Sequence, residues 1–210
     1  MKLADSSVRI EPLGPDHDRA AFRCANKSLD RYIREQASQD TRRGVARVFV
    51  AVMPEEPKRI AGFFTLSAAW VVASDLPPDV AKELPRHPIP AALVGRLAVE
   101  NGFARRRLGS ILLADAVTKA MAAAETVAMT VVVVDPIDDA ARAFYAAFGF
   151  RSLQAPRRTF RGAFVHGTQV IDYLVRYVAE AAIEVAVNDV VVQPDSSAGA
   201  IDDKQMQHAL

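Results

Sequence analysis

The chain has 210 residues, half of them hydrophobic and 24% charged, with a net charge of +1. Such a length suits one domain with its own core, and the balance is that of an ordinary globular protein. One cysteine, Cys24, excludes an internal disulfide, and neither it nor His17, His87, His166 and His208 shows metal-ligand spacing, so no metal is expected.

The amino-terminal MKLADSSVRIEP lacks the apolar core of a secretion signal, and no apolar run reaches membrane-spanning length. A cytoplasmic protein that avoids membranes is therefore expected. The charge is unevenly spread. Residues 178–210 hold six acidic residues and one basic one, leaving +6 on residues 1–177. A basic body points to an anionic ligand or a nucleic acid.

In chain order, Val8 to Leu13 alternates as a strand and His17 to Phe22 reads as a short helical piece. Ser28 is placed to cap a helix over 29–39, with Leu29, Tyr32, Ile33 and Ala37 on one face and Gly44 ending the segment. Ala46–Met53 and Ile60–Ser67 read as an antiparallel hairpin, and Trp70–Ser74 as a further edge strand. Five prolines between Pro77 and Pro90 predict irregular chain with one helical turn near 79–84. Leu93 to Val99 is a buried strand, followed by a polar turn at 100–102 and three arginines, Arg105, Arg106 and Arg107. Leu108, Gly109 and Ser110 then open a helix running to about Ala124.

Val127–Val134 is apolar enough for a strand buried on both faces. Asp138 or Asp139 caps the next helix, which carries Phe144, Tyr145 and Phe148 and stops at Gly149. Strands are expected over 150–153 and 169–177, with Arg157, Arg158 and Arg161 between them. Residues 178–210 read as an acidic, mobile extension beyond a domain of 1–177, with a helix conceivable over 179–187. The order is that of an α/β protein with a mixed sheet.

Strand, basic loop and helix start together make an anion site. The first N–H groups of a helix have no intrahelical acceptor, the helix dipole favours negative charge there, and Gly109 lets backbone approach a ligand. A βα turn bearing solvated arginines is the plainer alternative on this stretch alone.

Two pieces, GRLAVENGFARRRLGSILLADA and ARAFYAAFGF, resemble the GCN5-related N-acetyltransferase (GNAT) superfamily. The longer piece stands where that family has its acyl-coenzyme A pyrophosphate loop, and the shorter one is similar to its helix ending in Phe-Tyr, three residues, Gly-Phe. HDRAAFRCANKSLDRYIREQA, ARVFVAV and IAGFFTLSA are similar to the toxin acetyltransferases of bacterial toxin–antitoxin pairs, over residues 7–177 in all. The loop departs from the family pattern in two places: Ala104 stands at the leading polar position and Arg107 at the first glycine position. A side chain at 107 would crowd the pyrophosphate where positive φ is required, whereas arginines add forked donors to phosphate.

The resemblance implies the GNAT fold, a mostly antiparallel central sheet flanked by helices, and acetyl transfer from acetyl-CoA to a primary amine. It assigns coenzyme binding to Leu97, Ala98 and Val99 through backbone groups and to Arg105, Arg106, Arg107, Leu108, Gly109 and Ser110. It makes Tyr145 the general acid; without the resemblance, Tyr145 reads as an aromatic packing with Phe144 and Phe148. No general base stands out, which suits the α-amine of aminoacyl-tRNA better than a lysine, since the former should titrate no higher than a peptide α-amine at about 7.7–8.0 and the latter titrates near 10.4. The tRNA path is assigned to Arg86, Arg157, Arg158 and Arg161, and the further partners implied are a ribbon-helix-helix antitoxin and a second copy of the chain. Two alternatives stay open: an acetyltransferase for a small amine or protein amine, and a degenerate fold that only binds a partner.

Overall fold

A computed structural model gives the fold and describes residues 8–82, 84–153 and 162–165. In chain order the elements are β1 (Arg9–Pro12), α1 (Lys27–Arg31), a π-helical turn (Tyr32–Gln36), α2 (Ala37–Arg43), β2 (Arg47–Met53) and β3 (Glu56–Val71). A 3-10 turn (Ala73–Asp75), α3 (Pro78–Ala81), β4 (Ile89–Val99) and a second 3-10 turn (Asn101–Phe103) follow. The last are α4 (Leu108–Ala124), β5 (Val131–Val134), α5 (Asp139–Ala147) and β6 (Gly162–Val165).

The described strands form one six-stranded sheet in chain order. Every pairing is antiparallel except β4 with β5. A parallel pair needs a long crossover, and α4 supplies it. The mixed, mostly antiparallel sheet is thus as expected.

On one face α4 and α5 pack Leu112, Leu113, Ala116 and Phe148 against Phe64, Ala92, Val94, Val132 and Val134. On the other, Tyr32, Ile33 and Ala37 cover Val50, Val52, Phe63 and Ala98. Further along that face Leu76 and Val80 cover Ile89, Ala91, Val131 and Val133. Both faces of β5 are covered, which is why it can read Val-Val-Val-Val. Gly62 lets α4 approach: a Cβ there would stand 2.8 Å from Leu112 Cδ1 and 2.9 Å from the Ala98 carbonyl oxygen.

Several expectations change. Residues 17–22 form turns rather than a helical piece, and Asp18 bridges to Arg59. Asn26, not Ser28, caps α1, its side chain accepting from the N–H groups of Ser28 and Leu29. The helical segment runs on to Arg43, with a wide turn inside it, before Gly44 closes it at φ 70°. Trp70 belongs to a long β3 instead of a separate edge strand, pairing with Pro90. β4 therefore starts before Leu93, at Ile89; Pro90 fits because its carbonyl still accepts from Thr130. β5 is confined to Val131–Val134, and Val127 is exposed. Residues 150–153 are not one of the sheet's strands. The strand expected over 169–177, the helix over 179–187, the acidic extension, and Arg157, Arg158 and Arg161 lie outside the described residues.

Candidate active site

The site follows from a defect in the sheet. β4 pairs with β5 only from Ala91 to Val94, and then runs on for five residues to Val99. Where the pairing ends, the register with β3 slips: Leu66 faces Val94 but Thr65 faces Arg96, leaving Gly95 as an extra residue. Such a bulge bends and twists its strand, and so turns β4 away from β5. The gap is a cleft of about 490 Å³. Leu93, Gly95, Arg96 and Leu97 line one wall, Asp135, Pro136, Ile137, Ala141 and Tyr145 the other, and Leu29, Arg31 and Tyr32 the amino-terminal side.

Of the residues assigned to pantetheine, Leu97 lines the cleft, while the Ala98 side chain is buried under Tyr32 and Phe63. Leu97 to Val99 pair with β3 on one side only, so their other backbone edge has no strand partner among the described residues.

The strand then turns through the arginine loop. Glu100 caps the 3-10 turn by accepting from Gly102 N–H at 3.0 Å, and the same carboxylate oxygen takes a 3.2 Å bond from Arg59. Arg59 also lies over the Phe103 ring at 5.0 Å, with Arg106 at 5.8 Å. Arg105 and Arg107 sit at φ 59° and 67°, the only non-glycine residues with positive φ among those described. Each such residue costs about 1–2 kcal/mol relative to the right-handed region. Left-handed residues next to a helix start turn successive N–H groups inward as an anion-binding nest. Arg107 is the N-cap of α4 and makes no side-chain cap bond. The first helical bond onto its carbonyl comes from Ile111 N–H at 3.1 Å, so the amides of Leu108, Gly109 and Ser110 have no acceptor within the helix.

Leu108 and Ser110 are buried, and Gly109 between them is half-buried. Gly109 has room for a Cβ, which would make ordinary 3.8 Å contacts with Phe144 and Val99. The three arginine side chains are exposed and do not line the cleft leading to Tyr145. The loop thus has the backbone a glycine would normally supply, with cationic side chains standing outward. These features fit the diphosphate of a coenzyme A thioester at the loop and its pantetheine arm along the open edge of β4.

Tyr145 sits on the buried side of α5, whose N-cap Asp138 accepts from Ala141 N–H at 2.7 Å. Its ring meets Phe144 and Phe150 edge-on at 5.3 and 5.6 Å, yet it also lines the cleft. Packing with its aromatic neighbours thus does not remove this residue from the cleft. Burial, and then the Asp135 carboxylate, hold the phenol well above its ordinary pKa, so it is protonated at neutral pH and able to donate. Burial pushes the Cys24 thiol up to about 11, with Asp30 adding to the rise, which disfavours the thiolate a nucleophile would need. Asp30 accepts from the Cys24 N–H at 2.7 Å, which ties the start of α1 to the segment before it.

Arg86 is exposed, three residues before β4, and does not line the cleft. From Ile89 to Gly95 the strand advances about 20 Å at a strand's rise per residue. Missing from the sequence reading were Arg96 and the far wall of Asp135 and Ile137. Tyr32 carried a signal only as a core residue, and alternation along β4 was the one hint that Arg96 faces Tyr32. No group of three or more His, Cys, Asp or Glu side chains able to hold a metal occurs among the described residues.

Comparison with known proteins places the chain in a family. The acetyltransferase (GNAT) family model matches residues 16–150, and the chain belongs to that family. It is 35% identical over 133 residues to the tRNA-acetylating toxin of Mycobacterium tuberculosis (strain ATCC 25618 / H37Rv), covering 63% of this chain and 78% of that protein. In fold it is similar to AtaT complexed with acetyl-methionyl-tRNAfMet, with a TM-score of 0.71 at 23% identity over 80% of this chain and 99% of that one. A mutant AtaT toxin bound to the C-terminus of the antitoxin AtaR and acetyl-CoA superposes with a TM-score of 0.65 at 20% identity, over 80% and 97% of the two chains.

Proposed function

We propose that this chain transfers the acetyl group of acetyl-CoA to the α-amine of aminoacyl-tRNA, and acts as the toxin of a toxin–antitoxin pair. The observation carrying the reading is the cleft where β4 leaves β5, which has Leu97 on one wall and the protonated phenol of Tyr145 on the other. Family membership supports the reaction, and the mycobacterial tRNA-acetylating relative supports the acceptor.

In the proposed reaction the neutral amine attacks the thioester carbonyl carbon. The C–N bond forms, the C–S bond breaks, and the coenzyme thiolate takes the Tyr145 phenolic proton. The ammonium formed on the acceptor loses its proton to solvent, and Tyr145 recovers one from water. An N–H on the open edge of Leu97–Val99 polarises the carbonyl. An α-amine titrating near 7.7–8.0 is partly neutral at physiological pH, so no protein base is required. The AtaR complex of the fold neighbour supports an antitoxin partner, for which we infer the ribbon-helix-helix class. The tRNA reading implies work in the cytoplasm; no helix among the described residues is long and apolar enough to cross a membrane.

Purified protein, labelled acetyl-CoA and total charged tRNA test the proposal directly. Label should enter the aminoacyl group, and Tyr145→Phe should lower the rate by about 100-fold or more with melting unchanged, since the ring packing is kept. Label entering only small amines or protein would replace the tRNA reading by the small-amine or protein-amine one.

A further inference from the structure

We propose that Arg96, laid flat on Tyr32, is the anchor for a phosphodiester at the 3′ end of the nucleic-acid acceptor; this rests on the tRNA reading above. Its guanidinium carbon lies 3.8 Å from the centroid of the Tyr32 ring, and both residues line the cleft. The platform is itself fixed. Tyr32 is 2% exposed and stacks on Phe63 with 6.2 Å between centroids and 25° between planes. It opens the π-helical turn, a feature that often marks functional sites.

A guanidinium stacked by its face keeps its in-plane N–H donors, a rigid fork that matches phosphate oxygens. Arg96 makes no ion pair among the described residues, whereas Arg9, Arg59, Arg142 and Arg151 each hold a carboxylate. Arg31, also on the cleft, adds a second positive charge.

Its side of the sheet separates it from the coenzyme. Successive strand residues alternate faces, so Arg96 shares the face of Ala98, which packs with Tyr32 and Phe63. The arginine loop leads into α4, whose Leu108 packs on the opposite face with Phe64 and Val94. Two candidate anion sites therefore lie on opposite faces of the sheet, an amide nest on the α4 side and a stacked cation on the α1 side, which lines the cleft. A thioester with its diphosphate takes the first. The second faces the arriving amine, and in an aminoacyl-tRNA the nearest anion to that amine is the phosphodiester preceding the terminal adenosine.

The test uses the full chain and two acceptors, an aminoacyl-tRNA and the same aminoacyl group on an adenosine without a 5′-phosphate. Arg96→Gln should raise KM for the tRNA about tenfold or more, and leave KM for acetyl-CoA and the rate on the nucleoside unchanged. Arg96→Lys, which keeps charge but not the fork, should recover part of the loss. The slope of log KM against log salt should fall in Arg96→Gln by about 0.7, one single-strand phosphate contact. Equal losses on both acceptors, or a shift in the acetyl-CoA KM, would overturn the assignment. Should wild-type protein fail to acetylate charged tRNA, the proposed function falls; binding of an uncharged RNA ending in CCA then still judges Arg96, since equal affinity for wild type and Arg96→Gln overturns it.

Discussion

An arginine held at φ 67° is strained unless something else needs that backbone, and Arg107 shows both the strain and the need. Arg107→Gly should raise stability by a few tenths to about 1 kcal/mol in urea titration, the strain relief being offset in part by glycine's greater freedom in the unfolded chain. Because the proposed diphosphate site is built from backbone amides, KM for acetyl-CoA should change less than about threefold; a tenfold rise would make the guanidinium the principal ligand. Tyr145 yields a pH prediction. Its folded pKa is raised, so its contribution to stability is complete below the unfolded value and fades as pH climbs through the folded one. The acetyl-transfer rate should thus show no alkaline loss due to Tyr145 up to about pH 10, the ordinary phenol value. Cys24, with its thiol near 11, should resist iodoacetamide at pH 8 until the chain is unfolded, as peptide mass spectrometry would show.

Among the elements, α4 has the most exacting fit. It lies on β3 where Gly62 offers no Cβ, and its first turn is also the proposed diphosphate site. Gly62→Ala would push on both Leu112 and the Ala98 carbonyl oxygen. It should cost about 1–3 kcal/mol, the range for overpacking, read as a lower urea midpoint. Leu112 can swing aside but the Ala98 carbonyl cannot without moving β4, so KM for acetyl-CoA should rise as well. The Gly95 bulge is the other decisive element, because without it β4 would continue beside β5 and close the cleft.

Taken whole, the molecule is a sheet whose two halves part at one point, with each face carrying its own ligand-facing element. Binding at the coenzyme side should couple to global stability. Saturating acetyl-CoA at about 100 times its dissociation constant should add about 2.7 kcal/mol, and Tyr145→Phe should show the same shift in melting temperature. Absence of any shift in the wild type would favour a fold that only binds a partner.

Local patterns in the chain were enough for the strand hairpin of β2 and β3, the limits of α4 and the Gly44 and Gly149 stops, and narrowed the cap of α5 to Asp138 or Asp139, of which the structure uses Asp138. Periodicity, capping residues and glycine in the left-handed region act within a few residues and are written in order. The arginine loop and Tyr145 also stood out in the sequence, through family resemblance more than through spacing. Tertiary structure alone decided that β4 begins at Ile89, that Gly95 is an extra residue, and that Arg96 meets Tyr32 across 64 positions of chain. A bulge is a mismatch between two strands, and a stacked pair belongs to two elements folded together; neither has a signature in one stretch of sequence, because each is a relation between distant ones.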